Sequence, residues 1–442
     1  MRIVRYMVGA SVLVVSAFAA CVGDDGATGP AGPAGTAGAQ GTAGPEGPRG
    51  LTGDAGAAGV GVDGGIATSC LSPCHGFGGI VEQWKTSTHY ATFIANLGGE
   101  EVATWTGKTP CGNCHAIDAL ERRVAGNVSP GPDGGAINVK NGELGYRSAT
   151  GTLAESTYSG TAKVAAVTCV TCHAVTDATD PHRTGATWTP KSFPLRVASG
   201  AADDVFLEKS PSTAAVTGMS AGKLGASNTC VFCHRSRKDV TNYITAANPI
   251  TSRYWGPHDG PQTDVYTGLG GYHFTGKTYG NSTHQTKVNC VDCHMPTVKA
   301  NSDTPNHSFY AQLSSCLTCH AGATNFDIAG GQSQVRASLR ELEAAMNALG
   351  WLTRSETAPY LPLAGSQLTD NAFELDRARP GGGPDGGTLS LTADQAGALY
   401  NYFLLARGGA AGAHNPKYTR QLLFDSYVAV TGTAPATLVR PP

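Results

Sequence analysis

Two cysteines and a histidine recur six times in this chain in the same order: Cys70 to His75, Cys111 to His115, Cys169 to His173, Cys230 to His234, Cys290 to His294 and Cys316 to His320. Five of these runs read CxxCH, and the first, Cys70-Leu71-Ser72-Pro73-Cys74-His75, is one residue longer. Two thiols at this spacing add across the vinyl groups of a haem, and the histidine beside them swings under the iron as its proximal ligand. The thioether positions are then Cys70, Cys74, Cys111, Cys114, Cys169, Cys172, Cys230, Cys233, Cys290, Cys293, Cys316 and Cys319, with His75, His115, His173, His234, His294 and His320 as proximal ligands. Paired cysteines also suit zinc or disulfides, but neither requires a histidine directly after the second thiol, and here it stands there every time. For the longer first run a Cys70 to Cys74 disulfide is the alternative. The cofactor expected is six haem c.

The sixth position on each iron needs a second ligand. The chain has 13 histidines, and setting aside the six proximal ones leaves His89, His182, His258, His273, His284, His307 and His414. His89, His182, His258, His284, His307 and His414 are the distal candidates, and His273, between Tyr272 and Phe274, is the spare. For each, a surface or propionate-bonding role is the alternative. Two imidazoles keep an iron low-spin and six-coordinate, whereas methionine in one position raises the potential. Only Met219, Met295 and Met346 lie outside the N-terminal segment, which favours bis-histidine ligation.

These ligands must be placed by the elements around them. His89 falls on an expected helix from Ile80 to Leu97, with Trp84 earlier on it. His182 follows Asp180-Pro181 in a loop, His258 follows Trp255-Gly256-Pro257, His284 closes Asn281-Ser282-Thr283, and His307 lies between the fifth and sixth motifs. His414 directly precedes Asn415-Pro416, a cap and first-turn proline opening a helix to about Val430. Val335, Leu339, Leu342, Met346 and Leu349 recur at helical steps, and Thr392 with Gln395 forms a capping box for a helix through Leu399, Phe403 and Leu404 that Gly408-Gly409 closes. Both stripes are packing surfaces for haems and neighbouring helices. Stretches from Val128 to Ala165 and Val197 to Ser227 are rich in Gly, Ser, Thr and Ala and read as loops with short strands. The expected fold is mainly α with extensive loops. At roughly 60 residues per haem, stacked haems should themselves serve as the core.

The N-terminal region has a different composition. Met1-Arg2-Ile3-Val4-Arg5 and the apolar run to Ala20 read as a signal peptide over residues 1–20, and Phe18-Ala19-Ala20-Cys21 resembles a bacterial lipobox with Cys21 as the lipidated residue. Cys21 is also the one cysteine of 13 outside the haem motifs. Glycine then recurs at every third position from Gly23 to Gly59, a collagen-like Gly-X-Y tract within a linker over 21–65. As a single extended chain it would reach up to about 100 Å; as a trimer it would make the protein an oligomer. Residues 66–442 form the hexahaem domain. No later stretch has the roughly 20 apolar residues of a membrane helix, and Val22 after the lipidated cysteine points to the outer membrane, on its periplasmic or cell-surface face. A formal net charge of −2, made more acidic by haem propionates, gives no sign of nucleic-acid binding.

Cys290-Val291-Asp292-Cys293-His294-Met295-Pro296 followed by His307-Ser308-Phe309 resembles the multihaem superfamily of pentahaem nitrite reductases, octahaem tetrathionate reductases and hydroxylamine oxidoreductases. Trp255-Gly256-Pro257-His258-Asp259-Gly260-Pro261-Gln262 and His414-Asn415-Pro416-Lys417-Tyr418 are similar to stretches of multihaem cytochromes from metal-reducing bacteria, several of which also have a lipobox followed by Gly-X-Y repeats. The resemblance implies electron transfer in anaerobic or extracellular respiration, with other redox proteins and an extracellular acceptor as partners. The catalytic CxxCK motif of the nitrite enzymes is absent from the sequence. A reductase of a nitrogen or sulfur oxyanion and a subunit of a conductive filament are the alternatives.

Overall fold

The computed structural model describes residues 79–90, 104–105, 145–147, 153–155, 162–163, 167–175, 178–182, 194–195, 224–236, 240–297, 305–354, 376–383 and 386–442. The signal segment, Cys21, the Gly-X-Y tract and the first two motifs, Cys70 to His75 and Cys111 to His115, lie outside them.

Each described motif winds into a single helical turn. Cys169–Cys172 (α2), Asn228–Cys233 (α3) and Cys290–His294 (α7) are short helices, and Leu313–Cys316 (α8) delivers the first cysteine of the sixth motif. A helical turn puts residues i, i+3 and i+4 on one face, so both thiols and the imidazole of CxxCH point the same way. The turn is closed by bonds from His173 N–H to Cys169 O at 2.9 Å, His234 N–H to Cys230 O at 2.9 Å and His320 N–H to Cys316 O at 2.8 Å. Side chains fix where two of the turns begin: Asp292 Oδ2 accepts from Asn289 N–H at 2.6 Å and Thr171 Oγ1 from Thr168 N–H at 3.0 Å.

The apolar stripes form a scaffold beside these turns. Helices Gly331–Ala348 (α9), Ala393–Arg407 (α10) and Pro416–Thr431 (α11) pack together, with α10 against both others. From Ala396 to Arg407 every residue of α10 is buried, as expected of a helix that is apolar on most of its faces. Its N-terminus is capped as the sequence indicates, Thr392 Oγ1 accepting from Gln395 N–H at 3.3 Å and Gln395 Oε1 from Thr392 N–H at 3.1 Å. Gly397 is required where α10 meets Tyr272, because a Cβ there would lie 2.1 Å from the ring. Strand Ala247–Ile250 (β5) pairs antiparallel with Leu389–Thr392 (β8), Ala247 opposite Thr392, and β8 leads directly into α10. Leu352–Arg354 (β6) pairs with Asp376–Ala378 (β7). Within the stretch from Val128 to Ala165, Gly145–Arg147 (β2) pairs with Leu153–Glu155 (β3), short strands of the kind expected there, and Ala162–Lys163 (β4) pairs with Thr104–Trp105 (β1), a strand the sequence did not indicate.

Two sequence expectations need correction. The helix begun at Ile80 (α1, Ile80–Lys85) stops at Lys85 rather than running to Leu97, and residues 88–90 resume helical structure. Thr86 Oγ1 donates to Gln83 O at 2.7 Å and Ser87 Oγ accepts from Tyr90 N–H at 3.3 Å; such hydroxyls offer the backbone local partners and break the helical ladder. Leu349 falls past the end of α9 and is 47% exposed. The C-terminal region builds an apolar core from side chains that include Leu342, Met346, Leu399, Tyr400, Phe403, Leu404 and Leu422.

Candidate haem-binding site

The histidines of the four described motifs each face one histidine from elsewhere in the chain. His173 faces His307 with ring centres 6.5 Å apart, His234 faces His89 at 5.9 Å, His294 faces His414 at 6.3 Å and His320 faces His284 at 6.0 Å. A bond of about 2.0 Å from each ring nitrogen to one shared metal, plus the half-width of each ring, sets two axial imidazoles roughly 6 Å apart. All four separations match that requirement. Among the described residues, no three His, Cys, Asp or Glu side chains gather in a metal-holding cluster, and no two cysteines form a disulfide. The histidines thus come together two by two, as an axial pair needs, rather than in the set of four typical of structural zinc.

Hydrogen bonds at Nδ1 orient the rings. His294 Nδ1 lies 2.8 Å from Phe309 O, His284 Nδ1 2.7 Å from Ala413 O, His307 Nδ1 2.8 Å from Pro305 O and His234 Nδ1 2.9 Å from Gln262 Oε1. A ring that donates from Nδ1 presents Nε2 as the acceptor nitrogen, the usual arrangement behind a metal-bound histidine. His89 and His414 differ: their Nδ1 atoms are buried without a hydrogen-bond partner. Such a nitrogen costs about 1–3 kcal/mol if left unsatisfied, so both sites suit a group the polypeptide does not supply. Burial, reinforced by neighbouring histidines, holds His89 down at about 4 and His414 at about 3. Both rings are neutral, the form that binds a metal.

Several elements hold these rings in place. His234 O accepts from Thr263 N–H at 2.9 Å, and Asp264 Oδ2 accepts from Ser236 N–H at 2.7 Å, which ties the end of the fourth motif to helix Gln262–Thr267 (α5). Gln262 Nε2 in turn donates to Gly408 O at 3.2 Å, just beyond α10. Buried Asn415 fixes two ligands together. Its Oδ1 accepts from Ser282 N–H at 2.9 Å and Tyr418 N–H at 3.4 Å, while its Nδ2 donates to Asn281 Oδ1 at 2.7 Å and Tyr266 O at 3.2 Å. His284 and His414 are thereby anchored to one N-cap. The Cys230 and Cys290 thiols hydrogen-bond one another, so the fourth and fifth motifs lie side by side.

The other histidines have different surroundings. His182 is exposed, its Nδ1 3.1 Å from Asp180 Oδ1. His258, with φ of 79°, has Nδ1 3.2 Å from Asp259 O. His75 and His115, the proximal histidines of the first two motifs, lie outside the described residues. His273 Nε2 lies 2.8 Å from Tyr418 Oη, and its ring stacks on Tyr279 at 4.3 Å. Sequence reasoning assigned no role to Gln262 or Phe309, although both stand in stretches it singled out; a polar or carbonyl partner for Nδ1 leaves no spacing signal.

Comparison with known proteins gives a consistent class. The chain is 28% identical over 236 residues to the C-type polyheme cytochrome OmcB of Geobacter sulfurreducens, a match covering 46% of this chain and 31% of that protein. It is 27% identical over 233 residues to the C-type polyheme cytochrome OmcC of the same organism, covering 45% of this chain and 29% of the relative. The match thus spans under a third of these relatives' own length. No protein-family model matches the chain, and no solved structure matches it.

Proposed function

We propose that this chain is an electron-transfer cytochrome carrying six covalently bound c-type haems, each iron held between two histidines. The likeness to C-type polyheme cytochromes supports the class. The observation that carries the reading is the set of four imidazole pairs, each joining a motif histidine to one distant histidine at 5.9 to 6.5 Å. His307, His89, His414 and His284 are assigned as distal ligands to the third, fourth, fifth and sixth motifs in that order. His182 and His258 then serve the first two motifs, through His75 and His115.

When bound, each haem supplies a one-electron iron couple. The cysteines would tether it, and the paired imidazoles would both ligate its iron, leaving no open position for a substrate. Carbonyls on Nδ1 raise ligand basicity. The protein accepts an electron from one redox partner and passes it to another, a periplasmic or outer-membrane cytochrome or an extracellular acceptor. Cys169 and Cys319 are exposed, so the third and sixth motifs are the natural points of exchange. Lipid on Cys21 would hold the protein at the outer membrane. Electron paramagnetic resonance of the oxidised holoprotein tests the ligation. Only low-spin iron is expected, and a stoichiometric high-spin signal would overturn the bis-histidine assignment in favour of an open, catalytic iron.

A further inference from the structure

Phe309 touches three of the four imidazole pairs. Its carbonyl is the 2.8 Å partner of His294 Nδ1, its ring meets His89 edge-on at 4.8 Å, and it meets His307 edge-on at 6.0 Å. Through these contacts it adjoins the pairs His294 with His414, His234 with His89, and His173 with His307. Among the described residues Phe309 makes no hydrogen bond or ring contact with the fourth pair, His320 with His284. Phe309 also has φ of +60°, a left-handed conformation that a bulky residue adopts only when its surroundings impose it.

Those surroundings are built on both sides of the residue. Gln312 N–H donates to Cys293 O at 3.1 Å and Asn306 N–H to Pro296 O at 3.0 Å, which folds the segment back onto α7. On the other side, His307 N–H donates to Gln83 Oε1 at 2.8 Å, and the Tyr310 and Thr88 hydroxyls lie 3.3 Å apart. The segment around Phe309 therefore bridges the fifth motif and the turn that carries His89. Left-handed geometry aims the carbonyl at His294 while the ring stays between two distal imidazoles.

Resting on the haem reading above, we propose that Phe309 is a positioning residue shared by three axial-ligand pairs. Its ring sets the orientation of the distal rings His89 and His307, and its carbonyl sets the proximal ring of His294. Alanine bears the same Cβ as phenylalanine and tolerates φ of +60° no better, so Phe309→Ala removes the ring and leaves the backbone requirement in place. The test uses full-length holoprotein and compares Phe309→Ala and Phe309→Leu with His89→Met, His307→Met and His284→Met. The low-spin signals lost in His89→Met and His307→Met are expected to shift in Phe309→Ala, with haem content at the wild-type value and the signal lost in His284→Met unmoved. Two components of the potentiometric titration should move with them. Unmoved signals, or a His284-dependent signal shifting equally with the rest, would overturn the proposal. Should Phe309→Ala fail to retain haem, Phe309→Leu decides: it keeps apolar bulk, and unchanged His89- and His307-dependent signals in it would overturn the proposal. Wild-type protein lacking haem would instead strike down the cytochrome reading, before any variant is compared.

Discussion

At the scale of single residues, ring orientation distinguishes the pairs. The planes of His284 and His320 meet at 84°, and those of His173 and His307 at 31°. Crossed imidazoles would π-donate equally to dxz and dyz, the two iron orbitals of π symmetry about the iron–nitrogen bonds, and leave them close in energy, whereas rings nearer parallel would split them. The His284 and His320 site is therefore expected to give a highly anisotropic low-spin signal and the His173 and His307 site a rhombic one. His284→Met should abolish the first and spare the second; the reverse pattern would refute the assignment. His273 works through Tyr418 and Tyr279. Its replacement by alanine should leave the visible spectrum unchanged and lower stability by about 1–2 kcal/mol, from one hydrogen bond and one stacked pair, measured by chemical denaturation. The motif histidines were legible because covalent attachment imposes a fixed local spacing. The partner of each was not, since three of the four pairs join residues far apart in the chain and nothing local encodes which distal imidazole returns to which motif.

Among the elements, the N-terminus of α11 carries the most weight for the site. Asn415 caps that helix and binds the segment before His284, so Asn415→Ala removes four hydrogen bonds at a buried position. A loss of about 2–3 kcal/mol is expected, and the spectra of the His284 and His414 sites should change together. A change at only one would show that the cap is not their common anchor. This helix was readable because Asn-Pro at a start and an apolar period agree, as do Thr392 and Gln395 for α10. The helix at Ile80 was misjudged because Thr86 and Ser87 keep apolar neighbours in period while their hydroxyls bond locally and stop the ladder. Tertiary packing accounts for the core: α10 is buried on all sides only because α9, α11 and the β5 and β8 ribbon enclose it, a fact its own sequence states only as a lack of charge.

For the molecule as a whole, tether and haem domain should be separable. Cys21→Ser is expected to release the cytochrome from the membrane fraction with its haems intact, since every proposed haem ligand lies beyond residue 66. Deleting residues 26–59 should preserve haem content and the redox titration while slowing electron delivery to an insoluble acceptor more than to a small soluble one; equal rates would make the tract a passive spacer. The central claim, that the cysteine and histidine runs hold covalent haem, is tested most directly by the intact mass of the exported protein under denaturing conditions. The polypeptide plus six haems is expected. A polypeptide carrying none, with its paired cysteines recovered as disulfides or zinc thiolates, would contradict it.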